Sequence, residues 1–168
     1  EKDYLKKIEI FTALILSGLV FKEYEDNYNS GIKELENHLK NCFDDDGFPL
    51  SRNPNDLFFY TKYLIFCREA IKDAQKYIPE FLENIIEKNI RCLNFIKCPD
   101  NQLPLFNGAS EIFLDQLNEY INLEERKKDT KNVIGGLFKL KHKNHLVFFD
   151  VGQPPKKSFS KCYQSGPL

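Results

Sequence analysis

Two consecutive stretches of helical periodicity constrain the fold more than any other feature of this chain. Apolar residues recur every three or four positions over residues 57–74, and again over residues 78–96, where Asn89 is the one polar interruption. Such spacing places side chains on one face of an α-helix. The apolar positions are Leu57, Tyr60, Leu64, Cys67, Ile71 and Ala74, then Ile78, Leu82, Ile85, Cys92 and Ile96. We therefore expect two amphipathic helices packed against each other.

Other segments extend this helical pattern. Helices are also expected over residues 3–20, over residues 32–43 and over residues 110–123. Pro79 fits the first turn of the fourth helix, because proline lacks the amide hydrogen that a first turn leaves unpaired anyway. The sequence thus predicts a series of antiparallel helices over residues 1–124.

The last quarter of the chain has a different character. Residues 125–132 are polar and are expected to form a linker. Two short apolar and aromatic runs follow, at residues 137–140 and 146–151, and a polar segment separates them. This arrangement is typical of a β-hairpin. We expect residues 133–168 to be the start of a β-rich unit that belongs to a longer protein.

The charge balance restricts the possible partners. The chain has 24 Lys+Arg against 25 Asp+Glu and a net charge of -1, so no global field attracts it to nucleic acid or to an anionic membrane. The longest apolar run, residues 8–21, is shorter than the roughly 20 residues that cross a bilayer. We predict no nucleic-acid partner and no membrane span, and recognition of an anion has to be local.

Neither a metal nor another cofactor is expected. The five cysteines include no C-x-x-C pair and are expected to be packing residues. Residues 44–46 are three aspartates, but they lack the alternating ligands and the distal Glu of an EF-hand. His142 and His145 lie on the expected hairpin turn, which does not suit zinc.

The strongest candidate for a binding element is the loop DDDGFPLSRNPND at residues 44–56. Pro54 suits a first helical turn, so Arg52 and Asn53 are expected near a helix N-terminus, where backbone amides favour anions. Arg52 can bind a carboxylate with two parallel hydrogen bonds, and Asn53 can donate to it or to a sugar hydroxyl. The alternative is structural: Asn53 caps the helix and Arg52 pairs with one of residues 44–46.

A similar motif follows the fourth predicted helix. Residues 100–107, DNQLPLFN, resemble residues 46–53, DGFPLSRN, when one gap is allowed. If each motif closes one helical hairpin and starts the next, both loops line the same rim. Asn107 and Gly108 are then the second candidate for substrate binding, although an Asn-Gly pair also fits an ordinary turn or cap.

The order of these motifs resembles the bacterial heparinase II/III-like proteins, over essentially the whole chain. The motifs are SRNP at 51–54, PDNQLPLFNG at 99–108, GGLFKL at 135–140, FFDVGQPP at 148–155 and YQSGPL at 163–168. Members of that family join an incomplete (α/α) toroid of antiparallel helical hairpins to a β-sandwich. The resemblance implies a multidomain α and β protein, in which residues 1–124 end the toroid and residues 133–168 begin the β-sandwich.

The resemblance also implies cleavage of an acidic, uronate-containing polysaccharide by β-elimination. This reaction needs a group that neutralises the uronate carboxylate, a base that removes the C5 proton and an acid that protonates the leaving oxygen. Under this interpretation Arg52, Asn53, Asn107 and Gly108 bind the substrate. The family's usual location is the cell envelope or periplasm, whereas free cysteines are also common in the cytoplasm.

Two positions depart from the family's pattern. Characterised lyases carry a Tyr-His pair shortly after the Ser/Asn-Pro motif, where this chain has residues 55–57, Asn-Asp-Leu. Many relatives have His-Ala-Gly where this chain has residues 164–166, Gln-Ser-Gly. Tyr163 and Gln164 are therefore the candidate catalytic residues, with Tyr163 as base or acid if a cation such as Arg52 lowers its pKa. The alternative for Tyr163 is a packed interdomain tyrosine.

The sequence therefore predicts a heparinase II/III-like polysaccharide lyase fragment with an acidic glycan as partner. Two alternatives stay open. One is a glycan-binding relative without catalytic activity, for which the two departures are the evidence. The other is a helical scaffold whose loops only close hairpins.

Overall fold

The computed structural model describes residues 3–118, 132–143 and 145–153. Its helices are α1 Asp3–Val20, α2 Glu25–Leu39, α3 Pro54–Asp73, α4 Glu80–Ile96 and the short α5 Asp115–Asn118, with a 3-10 turn, Lys22–Tyr24, before α2. The strands are β1 Val133–Ile134, β2 Leu137–His142 and β3 His145–Asp150. The described part of the chain is thus mixed α and β, with four long helices and a small antiparallel sheet.

The first two helices form an antiparallel pair with close backbone contact at two glycines. A Cβ on Gly18 would lie 2.3 Å from the Tyr28 nitrogen, and a Cβ on Gly31 would lie 3.0 Å from the Ile15 nitrogen. The earlier residue of α1 thus faces the later residue of α2, so the two chains run in opposite directions. Glycine is needed at Gly18 because any side chain would overlap the partner backbone.

Helices α1 and α3 run in the same direction. Tyr4 contacts Asp56 through a 2.7 Å hydrogen bond, and Thr12 contacts Cys67 at 3.4 Å, so contacts advance together along both helices. Alternate helices of an antiparallel series have this relation. α3 and α4 follow one another through a short connection and are also packed together.

The predicted core face is confirmed for α3 and in part for α4, where Leu82, Cys92 and Ile96 are fully buried but Ile85 is only partly buried and Ile78 precedes the helix. On α3 the residues Leu57, Tyr60, Leu64, Cys67 and Ile71 are fully buried. Ala74 is exposed because it follows the last helical residue and caps the helix. On α4, Asn89 is fully buried in the middle of the apolar face, and its Nδ2 and Oδ1 have no hydrogen-bond partner among the described residues.

The longest apolar run of the sequence, residues 8–21, lies almost entirely in α1. Ile8 and Ile15 from this run are fully buried in the core. None of the described helices is long and apolar enough to cross a membrane, as the sequence predicts.

The predicted hairpin is present, and its inner face packs on the end of α4. Phe138 is paired with Phe149, and a two-residue turn with left-handed Lys143 (φ 50°) joins β2 to β3. On the inner face, the Lys139 ammonium donates to the Phe95 carbonyl and lies 5.5 Å from the centre of the Phe148 ring. The outer face remains partly exposed.

Three parts of the sequence prediction need correction or addition. The helix expected over residues 32–43 is α2, which begins earlier, at Glu25, and ends at Leu39. Residues 110–114 are not helical, because Leu103 donates to the carbonyl of Ile112 at 3.2 Å and Leu114 donates to the carbonyl of Asn101 at 3.0 Å. Long-range pairing therefore prevails over helix periodicity there, and residues 119–123 of that predicted helix lie outside the described residues. Strand β1, which pairs with β2, was not expected.

The predicted packing role of the cysteines is confirmed where the structure describes them. Cys42, Cys67 and Cys92 are buried free thiols, and Cys98 is a partly buried one. Burial raises the pKa of Cys42, of Cys67 and of Cys98, which disfavours the reactive thiolate.

Candidate functional site

The loop that contains SRNP ends in the N-terminus of α3. Pro54 is the first helical residue, as expected from its fixed φ and missing amide hydrogen. The Asn53 side-chain oxygen accepts a 2.8 Å hydrogen bond from the backbone nitrogen of Asn55. Asn53 is therefore a helix cap, which is the structural alternative that the sequence left open.

Arg52 is buried, and its guanidinium contacts the β-sheet. Nε donates to Asp150 Oδ2 at 3.1 Å, Nη2 donates to the other oxygen of Asp150, and Nη1 donates to the Gly135 carbonyl at 2.9 Å. Arg52 is 6% exposed and has a left-handed backbone with φ 58°. Its ion-pair partner is thus on β3 and not among residues 44–46.

Two glycines allow the hairpin backbone to lie directly on this guanidinium. A Cβ on Gly152 would be 2.5 Å from Arg52 Nη1, and a Cβ on Gly136 would be 3.0 Å from the same atom. A side chain at Gly152 would need Arg52 to move, and Arg52 is held by three hydrogen bonds.

Asn107 joins the second motif to the first. Its Nδ2 donates to the Arg52 carbonyl at 2.9 Å and lies 3.3 Å from Asp150 Oδ2. Asn107 is 5% exposed and adopts a left-handed φ of 52°, which Asn tolerates better than most residues. We call the set Arg52, Asn107, Gly135, Asp150 and Gly152 the junction; Arg52, Asn107 and Gly135 are buried, and the side chain of Asp150 is 25% exposed.

Two of the three aspartates before Gly47, Asp44 and Asp46, organise the loop through hydrogen bonds. Asp44 Oδ1 accepts from the backbone nitrogens of Asp46 at 3.0 Å and of Phe48 at 2.8 Å. Burial raises the pKa of Asp44. Asp46 accepts from the Gly135 nitrogen at 2.9 Å, so this loop also contacts the sheet.

Beside the junction lies a groove of about 340 Å³ between α1 and the first half of α3. Its lining residues are Leu5, Asn55, Asp56, Phe58, Phe59, Lys62, Tyr63 and Ile112. Asn55 directly follows SRNP, and Ile112 lies a few residues after LPLFNG. The Asn55 amide contacts the Ser110 hydroxyl at 2.7 Å, which holds the two loops together at one end of this groove.

The walls of the groove combine a fixed carboxylate with aromatic rings. Asp56 is 7% exposed, and its Oδ2 accepts from the hydroxyls of Tyr4 at 2.7 Å and of Ser51 at 2.5 Å. The rings of Phe59 and Tyr63 have centroids 4.8 Å apart. A polar acceptor beside apolar ring surface is the usual composition of a small-molecule site.

Behind the groove wall lies a buried polar cluster. The Tyr60 hydroxyl is 3.1 Å from His38 Nε2, 3.3 Å from Cys42 Sγ and 3.2 Å from the Tyr4 carbonyl. Burial raises the pKa of Tyr60 and lowers the pKa of His38, so the phenol and the imidazole are held neutral. Tyr60 is fully buried and cannot touch a substrate in this arrangement.

The structure brings some of the sequence candidates together and separates others. Arg52 and Asn107 are in direct contact. Asn53 caps α3, and Gly108 lies exposed in a turn with φ 81°. The candidate catalytic residues Tyr163 and Gln164 lie outside the described residues.

Two side chains of the candidate site, those of Asp150 and Asp56, were not among the candidates from the sequence. Asp150 belongs to FFDVGQPP, one of the motifs on which the family resemblance rests. Nothing in the sequence indicated that its partner is Arg52, which lies 98 positions away. Asp56 had been noted only as a departure from the family's pattern.

The structure shows no metal-binding site among the residues that it describes. Among those residues no group of three or more His, Cys, Asp or Glu side chains is close enough to hold a metal ion. His142 and His145 are cross-strand neighbours next to the β2–β3 turn. Two ligands are fewer than a structural zinc site uses.

No protein-family model, no curated protein and no solved structure matches this chain. The fold and the site therefore describe the protein by themselves: helical hairpins are joined to a small antiparallel sheet through the ion pair of a buried arginine, and an aromatic groove lies beside that contact.

Proposed function

We propose that this chain is part of a heparinase II/III-like protein and that its ligand is an acidic, uronate-containing polysaccharide. The observation that carries this proposal is the convergence of four of the five motifs on which the resemblance rests; the fifth, YQSGPL, lies outside the described residues. Arg52 of SRNP, Asn107 of LPLFNG, Gly135 of GGLFKL and Asp150 of FFDVGQPP are linked by hydrogen bonds at one place. A set of motifs that is scattered along the sequence thus forms a single feature in space.

The helix arrangement supports the toroid part of this proposal. α1 and α3 are parallel while α2 runs back between them in sequence, as in the repeated hairpins of an (α/α) array. We propose that residues 1–124 belong to such a toroid and that residues 133–168 begin a β-sandwich after a linker at 125–132. The apolar outer face of the hairpin, with Leu140 46% exposed and Val147 44% exposed, supports packing of a further sheet.

Within this proposal the activity is β-elimination, with Tyr163 and Gln164 as candidate catalytic residues. Binding without turnover is the second candidate, and one observation favours it. The Arg52 guanidinium is already neutralised by Asp150, so it is not free to neutralise a uronate carboxylate. Both activities place the protein in the cell envelope or periplasm, where such polysaccharides occur.

The test is incubation of the protein with a panel of sulfated and unsulfated uronate polysaccharides, with neutral polysaccharides as controls. Ultraviolet absorbance of the unsaturated product reports elimination, and calorimetric titration on the same panel reports binding. Product formation supports the lyase, and binding without product supports the glycan-binding protein. A folded protein that neither binds nor cleaves any uronate polymer contradicts the proposal.

A further inference from the structure

We propose that the groove is a subsite for one uronate unit of the polysaccharide, formed by Asp56, Lys62 and the Phe59–Tyr63 ring pair. This inference rests on the proposed function and assigns it a location. None of these four residues was a candidate from sequence, and none belongs to the junction. The polar groups of the junction bond to each other, whereas the adjacent groove is open to solvent and combines apolar walls with Asp56 and Lys62.

The size of the groove suits a single sugar unit. Its volume is about 340 Å³, which is near the lower limit of the roughly 300–1,000 Å³ that ligand pockets usually occupy. The groove is partly open to solvent, so a unit bound in it can remain joined to the rest of a polymer. A subsite of this kind binds one unit in the middle of a chain.

The aromatic pair provides the apolar wall that a sugar ring needs. Phe59 and Tyr63 are one helical turn apart on α3 and partly exposed, so their rings pack against the core on one side and line the groove on the other. The Tyr63 hydroxyl donates to Glu9 Oε1 at 2.9 Å, which fixes the orientation of its ring. A sugar ring buries its C–H faces against such rings while its hydroxyls point away from them.

Asp56 provides a preorganised acceptor for sugar hydroxyls. Both hydrogen bonds that fix its carboxylate, from Tyr4 and from Ser51, are accepted by Oδ2. Oδ1 is therefore the oxygen that accepts from the ligand. Since Asp56 is nearly buried and held before binding, little ordering accompanies the contact.

Lys62 provides the charge that selects a uronate over a neutral sugar. Its side chain is exposed at the edge of the groove, and the ion pairs formed among the described residues do not include it. A uronate carboxylate can pair with the ammonium while the hydroxyls of the same ring reach Asp56. A purely apolar partner would instead cover Asp56 and Lys62 and leave both charges without a ligand.

The experiment titrates the full chain with uronate oligosaccharides and compares two pairs of variants. Lys62→Gln is matched by Lys72→Gln, an exposed lysine on the same helix outside the groove. Phe59→Leu is matched by Phe66→Leu, which is 52% exposed on the same helix. We expect each groove variant to weaken binding about tenfold and each control to change it less than about twofold.

The outcomes separate the subsite from the proposed function. If the wild-type protein binds uronate oligosaccharides and the groove variants bind as tightly as their controls, the subsite is wrong while the proposed function stands. If the wild-type protein binds neutral oligosaccharides of equal length as tightly, the role of Lys62 is wrong. If it binds no uronate polymer at all, the proposed function and the subsite fall together.

Discussion

Residues 51–56 contribute to two neighbouring regions that use their polar groups in opposite ways. In the junction, Arg52 is 6% exposed and meets an acid and a carbonyl of the same chain. In the groove, Asp56 is equally buried at 7% exposed and is fixed by two hydroxyls, but it lines a pocket that is open to solvent. Arg52, the side chain that most strongly suggested anion binding in the sequence, therefore joins two parts of the protein. Asp56, which the sequence showed only as a departure from the family's pattern, lines the groove.

The difference teaches that residue type alone does not identify a binding group. A buried, bidentate Arg–Asp pair adds little net stability compared with apolar residues, but removal of one partner leaves an uncompensated charge. An exposed cation such as Lys62 has no such internal partner among the described residues, so its loss is cheap for folding. Variants in the junction should thus affect stability, and variants in the groove should affect binding.

The largest effect is expected from Arg52→Ala. This change removes the donors of the buried Arg52 guanidinium from the Gly135 carbonyl and from the Asp150 carboxylate, which keeps only its contacts with the Asn107 amide and the Gly152 nitrogen. We expect a loss of about 3 to 5 kcal/mol in the free energy of unfolding, measured by urea denaturation. Lys40→Ala, which breaks the exposed pair with Glu36, should cost less than about 0.5 kcal/mol.

A small loss for Arg52→Ala, similar to that of Lys40→Ala, would contradict the structural role of the junction. Hydrogen exchange adds a local measurement. The amides of β2 and β3 should lose protection in Arg52→Ala before those of α3, because the ion pair is one of the contacts that hold the hairpin on the helices.

The next largest effect is expected from alanine substitutions at two glycines that both have a left-handed backbone. Gly135 (φ 56°) and Gly108 (φ 81°) both have left-handed backbones, but only Gly135 lies in the junction. A Cβ on Gly135 would be 2.4 Å from the Cβ of Phe48, which is fully buried. We expect Gly135→Ala to cost about 3 kcal/mol and Gly108→Ala about 1 kcal/mol, both from thermal or urea unfolding. Equal costs would mean that the hairpin does not pack tightly on the loop.

Much of the helical fold was predictable because its signal is local. The apolar positions from Leu57 to Ile71 follow one helical face, and that face is the buried one. The hairpin was predictable for the same reason, since two apolar runs flank a short polar turn. The segment 110–114 was not, because its pairing with residues 101–103 depends on a contact between two loops.

The candidate site was only partly predictable. Asn53 as a cap and Pro54 as a first helical residue follow from local chemistry. The Arg52–Asp150 pair spans 98 positions, and no property of either residue in the sequence specifies the other. The carboxylate of Asp56 is fixed by Tyr4, which α1 brings from 52 positions away in the sequence.

A smaller effect is expected from leucine substitutions at two buried asparagines, of which one has side-chain hydrogen-bond partners and the other has none among the described residues. Asn107 donates to the Arg52 carbonyl, whereas the side chain of Asn89 has no hydrogen-bond partner among the described residues. Asn107→Leu should cost about 2 kcal/mol, because it leaves a buried carbonyl without a donor. Asn89→Leu, a change of similar shape, should cost nothing or stabilise the protein by up to about 1 kcal/mol. Urea unfolding of both variants checks this, and a large loss for Asn89→Leu would reveal a partner for it.

The smallest effect concerns the polar cluster behind the groove wall and appears as a pH dependence. Burial lowers the pKa of His38 below its ordinary value of 6.5, and nearby Lys7 acts in the same direction. Below about pH 6.5 the unfolded chain therefore binds more protons than the folded one. The contribution of neutral, buried His38 to the free energy of unfolding is therefore fully present above about pH 6.5. It decreases as the pH falls from there to the lower pKa that His38 has in the folded state.

The measurement compares the free energy of unfolding of the wild-type protein and of His38→Gln at several pH values from about 7.5 to about 5. Other titrating groups are common to both proteins, so the difference in slope isolates His38. We expect the wild-type protein to lose more stability than the variant as the solution is acidified. Identical slopes would show that His38 takes up its proton freely in the folded state. The region behind the groove would then be wetter than the junction, although Tyr60 beside it is fully buried.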